Sequence, residues 1–262
     1  MKGFLSRHGV WITTPVLALA LFGAWDVYVE AFNVSPMILP RPSQVAQGVL
    51  QLMADPRTLG HTLVTLYETL AGFFIAVIVG VGLGVALGKF RWLERTLNPF
   101  IIALQVMPKV ALVPIFIVWF GFGSGSKIVM AAVLAFFPIM TNTILGIKSV
   151  DRGHKDVMTS LNASRFATFR EMELPATLPY VLTGAEVGIV LAVIGAIVGE
   201  YLGGNSGLGY LAVATLNAFD VQAMFAVIFI LTLMGFVLYF AVVALRRRLT
   251  PWHAASAPPE DS

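Results

Sequence analysis

Few side chains in this chain could do chemistry, and their spacing excludes most of it. The histidines His8, His61, His154 and His253 are scattered with no ligand spacing, and cysteine is absent. Disulfides and thiolate metal sites are therefore excluded. No nucleophile stands at a useful spacing from a base, so an intramembrane enzyme finds no support. "GFGSGSK" at residues 121–127 lacks the Gly-x-x-x-x-Gly-Lys-Ser/Thr order of a phosphate loop and follows an apolar run rather than a strand. With no other nucleotide motif, the chain does not hydrolyse ATP itself. What remains is charge in apolar surroundings. Lys109 stands between Pro108 and Pro114, Glu68 and Glu186 lie near the ends of apolar runs, and Glu200 precedes "YLGGNSGLGY". A lysine at the centre of a membrane helix costs about 2.5–3.5 kcal/mol on insertion scales, so Lys109 does not face lipid. It lines a pathway where it attracts an anion, pairs with an intramembrane carboxylate, or snorkels to an interface.

The elements around these charges are set by composition. Of the 262 residues, 58% are hydrophobic and 12% charged, with mean hydropathy +0.84. Soluble domains are about 45–50% apolar and about 25% charged. Long continuous apolar runs point to an all-α membrane protein, since in lipid every backbone polar group must be satisfied within the segment. Six spans emerge, over 10–29, 63–87, 99–119, 128–147, 179–198 and 225–245, each long enough for roughly 30 Å of hydrocarbon. Lys2 and Arg7 precede the first, which continues through Trp25 without a polar cleavage region, as a retained span does. Thirteen Lys and Arg fall on one side: Lys2, Arg7, Lys89, Arg91, Arg95, Lys148, Arg152, Lys155, Arg165, Arg170, Arg246, Arg247 and Arg248. Arg41, Arg57 and Lys127 fall on the other. The positive-inside rule places both termini, and the segment around Ser160, in the cytoplasm. The organisation expected is an N-terminal span and outer loop over 1–60, a five-helix core over 61–248, and a disordered tail over 249–262.

The stretch from Asp151 to Leu174 is too polar to insert and too patterned for a linker. Val157, Met158 and Leu161 can share one helical face, and Phe166, Phe169 and Met172 another. Between them, Asn162 tolerates the left-handed conformation that ends a helix. Ala163 follows, and Ser164 is a good N-cap for the next helix. The pattern predicts helix, turn, helix, with Pro175 and Pro179 stopping the unit before the fifth span. Such a unit docks another protein or lies on lipid with Arg165 and Arg170 at the head groups.

"DVMTSLNASRFATFREMELP" (residues 156–175) resembles the EAA loop of importer permeases of the ATP-binding-cassette type. Asp156, Val157 and Met158 occupy its first three places, Asn162 its glycine place and Met172 its isoleucine place, while Leu174 and Pro175 match outright. "ILPRPSQV" (38–45), "MPKVALVPIFIVWFGFGSGSKI" (107–128), "LPATLPYVLTG" (174–184) and "GEYLGGNSGLGYL" (199–211) resemble the branch importing nitrate, sulfonates, taurine and bicarbonate, with relatives for pyrimidine precursors and riboflavin. The resemblance implies a type I importer permease fold with six transmembrane helices in the bacterial inner membrane. It implies a pair of permeases, expected to be a homodimer, and two ATPase subunits that bind ATP and Mg. A periplasmic or lipid-anchored substrate-binding protein would deliver cargo, and nothing points to nucleic acid. Phe166, Phe169 and Met172 would be apolar anchors in a groove of the ATPase.

Other features carry alternatives. Gly80, Gly84 and Gly88, with Gly72 and Gly82 nearby, let helix backbones approach closely, within one subunit or between two. Many members of the resembled family carry Arg where this chain has Glu68 and Glu186. The exchange would make an anion pathway less inviting and favour a neutral or cationic heterocycle, unless the acids face water, as is expected of Glu68. Glu200 matches an acid common in that family and either gates the pathway or holds the outer loop. A secondary transporter is the rival from another class, but no internal repeat supports it.

Overall fold

The computed structural model describes residues 2–252, which contain helices and no strand. Five helices are long and apolar enough to cross a membrane, at Thr13–Ala31, Pro56–Lys89, Ser124–Lys148, Arg165–Gly203 and Val221–Leu249. A sixth crossing exists only if Arg91–Val106 and Lys109–Phe120 are taken together, and these are bent by 88°. The span expected over 99–119 is thus a broken one, as the prolines at 108 and 114 in its sequence lead one to expect. Met107, held extended at φ −58°, ψ 130°, shows the cause: a residue before proline is pushed out of the helical region. Pro114 sits in the first turn of the following helix, where its missing N–H costs nothing. Of the tail expected over 249–262, residues from His253 on lie outside the described residues. Thr250 is fully buried and its hydroxyl donates to the Arg246 carbonyl at 2.8 Å.

The helices are α1 (Lys2–Ala31), α2 (Pro42–Ala54), α3 (Pro56–Lys89), α4 (Arg91–Val106), α5 (Val113–Phe120), α6 (Ser124–Lys148), α7 (Arg152–Ser160), α8 (Arg165–Thr168), α9 (Leu174–Gly203), α10 (Leu208–Asn217) and α11 (Val221–Leu249). They form two compact units. One runs as far as Leu59 and includes Leu211–Leu231; the other comprises Gly60–Tyr210 and the chain from Thr232 onward. In the first unit, Gln222 Nε2 donates to the Gln44 carbonyl at 2.9 Å. A Cβ on Gly48 would lie 3.1 Å from that of Ala226, so α2 is seated closely against the start of α11.

The second unit is built around α6. Ala131, Ala135 and Ile139 are fully buried and cluster with Phe73 and Ala76 of α3 and with Ala185, Ile189, Ala192 and Ala196 of α9. Small residues on both flanking helices bring the backbones together. A Cβ would lie 2.5 Å from Ala131 Cβ at Gly72, 3.1 Å from Ile139 Cγ2 at Gly80, 2.5 Å from Thr143 Cβ at Gly84 and 2.8 Å from Ile147 Cβ at Gly88. Gly184, Gly188, Gly195 and Gly199 do the same from α9. The spacing noticed in the sequence therefore faces a helix of the same chain, whereas Gly82 has no such neighbour within 4 Å.

Candidate functional site

The segment over 151–175 folds from local signals. The Asp151 carboxylate accepts from the Gly153 amide at 2.8 Å and starts α7. Asn162 turns the chain at φ +51°, a conformation that asparagine tolerates better than most residues. Ser164 Oγ then accepts from the Ala167 amide at 3.1 Å and caps the next helix. The prolines do not end that helix, contrary to expectation: it runs unbroken from Arg165 to Gly203. The reason is a wide turn over Phe169–Glu173, where the Leu174 amide donates to the Phe169 carbonyl five residues back. Pro175 then falls in the first turn of α9, where a proline is tolerated.

That wide turn also splits the apolar face expected for Phe166, Phe169 and Met172. Phe166 is 70% exposed, as are Leu161 at 72% and Val157 at 56%. Asp156, Asn162, Ser164, Arg165 and Arg170 are exposed too, and Leu174 partly so. Met158, Ala163, Phe169, Met172 and Pro175 are half-buried. Lys89 Nζ lies 4.2 Å from the centre of the Phe169 ring and 2.7 Å from the Glu173 carboxylate. Phe169 is therefore a brace against the end of α3 rather than a free anchor.

Lys109 stands at the break between α4 and α5. Its Nζ donates to the Gln105 carbonyl at 2.9 Å and lies 5.0 Å from the centre of the Phe137 ring. Among the described residues no carboxylate pairs with it. Pro108 is exposed beside it, and Lys109 lines an apolar cavity of about 410 Å³ walled by α3, α4 and α6.

The acids are engaged elsewhere. Glu186, a pathway candidate by sequence, is paired with Arg246 at 2.5 Å, both side chains being mostly buried. Glu68 was expected to meet water but is 2% exposed, set against Ser124 and Glu200 with Lys127 nearby. Lys127, assigned by sequence to an outer loop, is also 2% exposed. Its Nζ donates to the carbonyls of Phe122, Gly123 at 3.1 Å and Gly203 at 2.7 Å. A lysine has three N–H donors, and all three are used, two on carbonyls of the turn between α5 and α6 and one at the end of α9. Glu200 accepts from Thr65 Oγ1 and from the Gly209 amide, each at 2.6 Å. Thr65 Oγ1 accepts from the Leu208 amide at 2.8 Å, and His61 Nδ1 from the Gly207 amide at 3.0 Å. Together these side chains clasp the turn between α9 and α10 onto α3. The turn needs glycine at 207, where φ is +100° and a Cβ would overlap the Glu200 carboxylate. Sequence reasoning missed Thr65 and His61, since neither carries a signal until the turn is folded against them.

Residues 72–251 match the family described as binding-protein-dependent transport system inner membrane component. The chain belongs to this family. The permease is 35% identical over 234 residues to the formylaminopyrimidine transport permease protein ThiX of Halalkalibacterium halodurans, covering 89% of this chain and 93% of that protein. It is 36% identical over 241 residues to the riboflavin transport system permease protein RibX of Chloroflexus aurantiacus, covering 92% and 90%. Over 254 residues it is 30% identical to the taurine transport system permease protein TauC of Escherichia coli, covering 95% and 92%. Its fold is similar to that of the MetNI methionine ABC transporter in an inward-facing conformation, with TM-score 0.62 and 20% identity over 81% of this chain and 99% of that one. The permease is the membrane-spanning subunit of an ATP-binding-cassette importer, a multi-pass inner-membrane protein with the type I importer fold. ATP hydrolysis belongs to a separate ATPase subunit, and a substrate-binding protein is its further partner.

Proposed function

We propose that two copies of this permease form the translocation pathway and that each docks one ATPase subunit through the segment over 156–175 on the cytoplasmic side. The carrying observation is the exposed apolar set Val157, Leu161 and Phe166 on a capped turn continuous with the 39-residue helix Arg165–Gly203. An unbroken helix transmits displacement without a hinge, so movement of the docked ATPase reaches the spanning segment directly. A lever shifts an equilibrium only through unequal interaction with its two states, and the Lys89–Glu173 pair fixes the base of the lever. Both termini lie in the cytoplasm under the same reading, in keeping with the distribution of Lys and Arg. Lys109, Pro108 and Pro114 border the pathway, while Glu186 and Glu200 hold helices and turns together rather than meeting cargo.

Relatives named for taurine, nitrate, riboflavin and formylaminopyrimidine support a small solute as cargo, of the sulfonate, nitrate, taurine or bicarbonate class or a heterocyclic vitamin precursor. The two acids do not weigh against an anion, because Arg246 compensates Glu186 and Glu68 is buried beside Lys127. The test is co-purification of the ATPase with the permease carrying Leu161→Ala and Phe166→Ala. Loss of the ATPase with retained membrane insertion is expected. Unchanged recovery and unchanged transport would overturn the docking role.

A further inference from the structure

We propose that His61 is a pH-sensitive catch that holds the turn between α9 and α10 against α3 while neutral and releases it on protonation. Consecutive backbone amides at the start of α10 each donate to a different side chain. Gly207 donates to His61 Nδ1 at 3.0 Å, Leu208 to Thr65 Oγ1 at 2.8 Å and Gly209 to Glu200 at 2.6 Å. Amides at the start of a helix have no intrahelical acceptor, so the side chains supply what the helix cannot. His61 and Thr65 stand four residues apart and share one face of α3. The Gly207 bond fixes the state of the imidazole, because a ring nitrogen accepts only when it carries no hydrogen. With the catch closed, His61 is neutral and carries its hydrogen on Nε2.

Protonation removes the acceptor outright. An imidazolium is a donor at both nitrogens, so a new Nδ1–H would point at the Gly207 N–H. It would also set a positive charge at the N-terminus of α10, the positive end of the helix dipole. The neighbouring charges are committed elsewhere. Glu200 spends its two oxygens on Thr65 and Gly209, and Glu68 is set against Ser124 and Glu200. Lys127 donates to carbonyls, and Arg57, one turn before His61, is paired with Asp55 at 3.0 Å. Tyr210 of α10 lies with its ring centre 5.9 Å from that of His61. Histidine is the side chain whose charge changes between about pH 5 and pH 8. The hold of His61 on the turn is therefore complete above that range and lost as pH falls through it. The catch sits at one end of the helix Arg165–Gly203, whose other end is the docking segment, so acid would loosen the far end of the lever. That consequence for transport rests on the permease reading, whereas the catch itself does not.

The test is hydrogen exchange of the Gly207 amide in the permease purified with its ATPase in lipid nanodiscs. It is followed from about pH 5 to about pH 8, each rate divided by that of an unstructured peptide at the same pH. Protection should fall toward acid by up to about ten-fold per pH unit, the limit for one proton. His61→Asn, whose side-chain carbonyl accepts without titrating, should hold protection level across the range. His61→Phe, which keeps a ring but no acceptor, should show the acid level at every pH. Nitrogen NMR of labelled histidine in the unmodified chain should find the His61 hydrogen on Nε2 at the alkaline end, a readout that needs no variant to fold. A hydrogen on Nδ1, or protection that ignores pH in the unmodified chain, would overturn the proposal. So would an undiminished pH dependence in His61→Asn, which would assign the titration to Glu68 and Glu200. Transport by the same complex in vesicles acidified on the outside should fall with the protection, and His61→Asn should abolish that fall; equal falls in both would sink the consequence for transport. Recovery of the ATPase reports on the permease reading separately. If the ATPase fails to assemble with the unmodified chain, that reading falls while the exchange at Gly207 still decides the catch.

Discussion

Replacing Gly84 by alanine tests the packing that holds the core together. A Cβ there would lie 2.5 Å from Thr143 Cβ, 2.8 Å from its Cγ2 and 2.9 Å from the Met140 carbonyl oxygen. Carbon atoms are at their best separation near 3.5–4.0 Å, so α3 and α6 must part by about 1 Å. One of the obstacles is backbone, which cannot rotate away. Overpacking of this kind costs about 1–3 kcal/mol, against a gain of about 1 kcal/mol from the better helix propensity of alanine. At Gly82, two residues earlier, a Cβ would meet nothing within 4 Å, so Gly82→Ala keeps only the gain. The assay is thermal unfolding of the purified permease in detergent. Gly82→Ala should leave Tm unchanged or raise it, while Gly84→Ala, at a net cost of up to about 2 kcal/mol, should lower it by up to about 8 °C. Adding Thr143→Gly to Gly84→Ala should recover much of the loss. Equal shifts for the two alanine variants would refute the close approach of α3 to α6.

Thr65→Val removes the acceptor of the Leu208 amide and the donor to Glu200, leaving two buried groups unmatched at about 1–3 kcal/mol each. Faster hydrogen exchange at Leu208 and Gly209 is the expected result. Arg246→Met strands the Glu186 carboxylate, and losing one partner of a buried pair costs about 3–5 kcal/mol. Replacing both with Glu186→Leu and Arg246→Met should be milder than Arg246→Met alone, as read by urea or heat unfolding. Asn162→Gly should preserve the turn at φ +51°, whereas Asn162→Val should weaken it by about 1–2 kcal/mol and reduce ATPase recovery with little change in membrane insertion.

What could be read from the chain is what neighbouring residues decide. Apolar run length marked the crossing helices because hydrocarbon thickness fixes how many residues a span requires. Asn162 and Ser164 marked the turn in the docking segment because a left-handed residue and an N-cap act on groups within three positions. Pro108 marked the break in the third span through its effect on Met107. The glycines of α3 showed close approach, since a missing side chain acts wherever the helix lands, although the sequence left open which helix it meets.

Tertiary structure decided the rest, and the reason is distance along the chain. Glu200 and Thr65 lie 135 residues apart, Lys127 and Gly203 lie 76 apart, and Arg246 and Glu186 lie 60 apart. A charge in an apolar run signals that a partner exists without saying which, so Glu68 read as wetted and Lys127 as a loop charge until their neighbours were in place. Phe169 read as a docking anchor because a regular helical period aligns it with Phe166. The wide turn at Phe169–Glu173 and Lys89, arriving from the far end of α3, turned it inward. Local conformation follows from side chains within a few residues, but the fate of a buried charge follows from whichever distant helix supplies its counterpart.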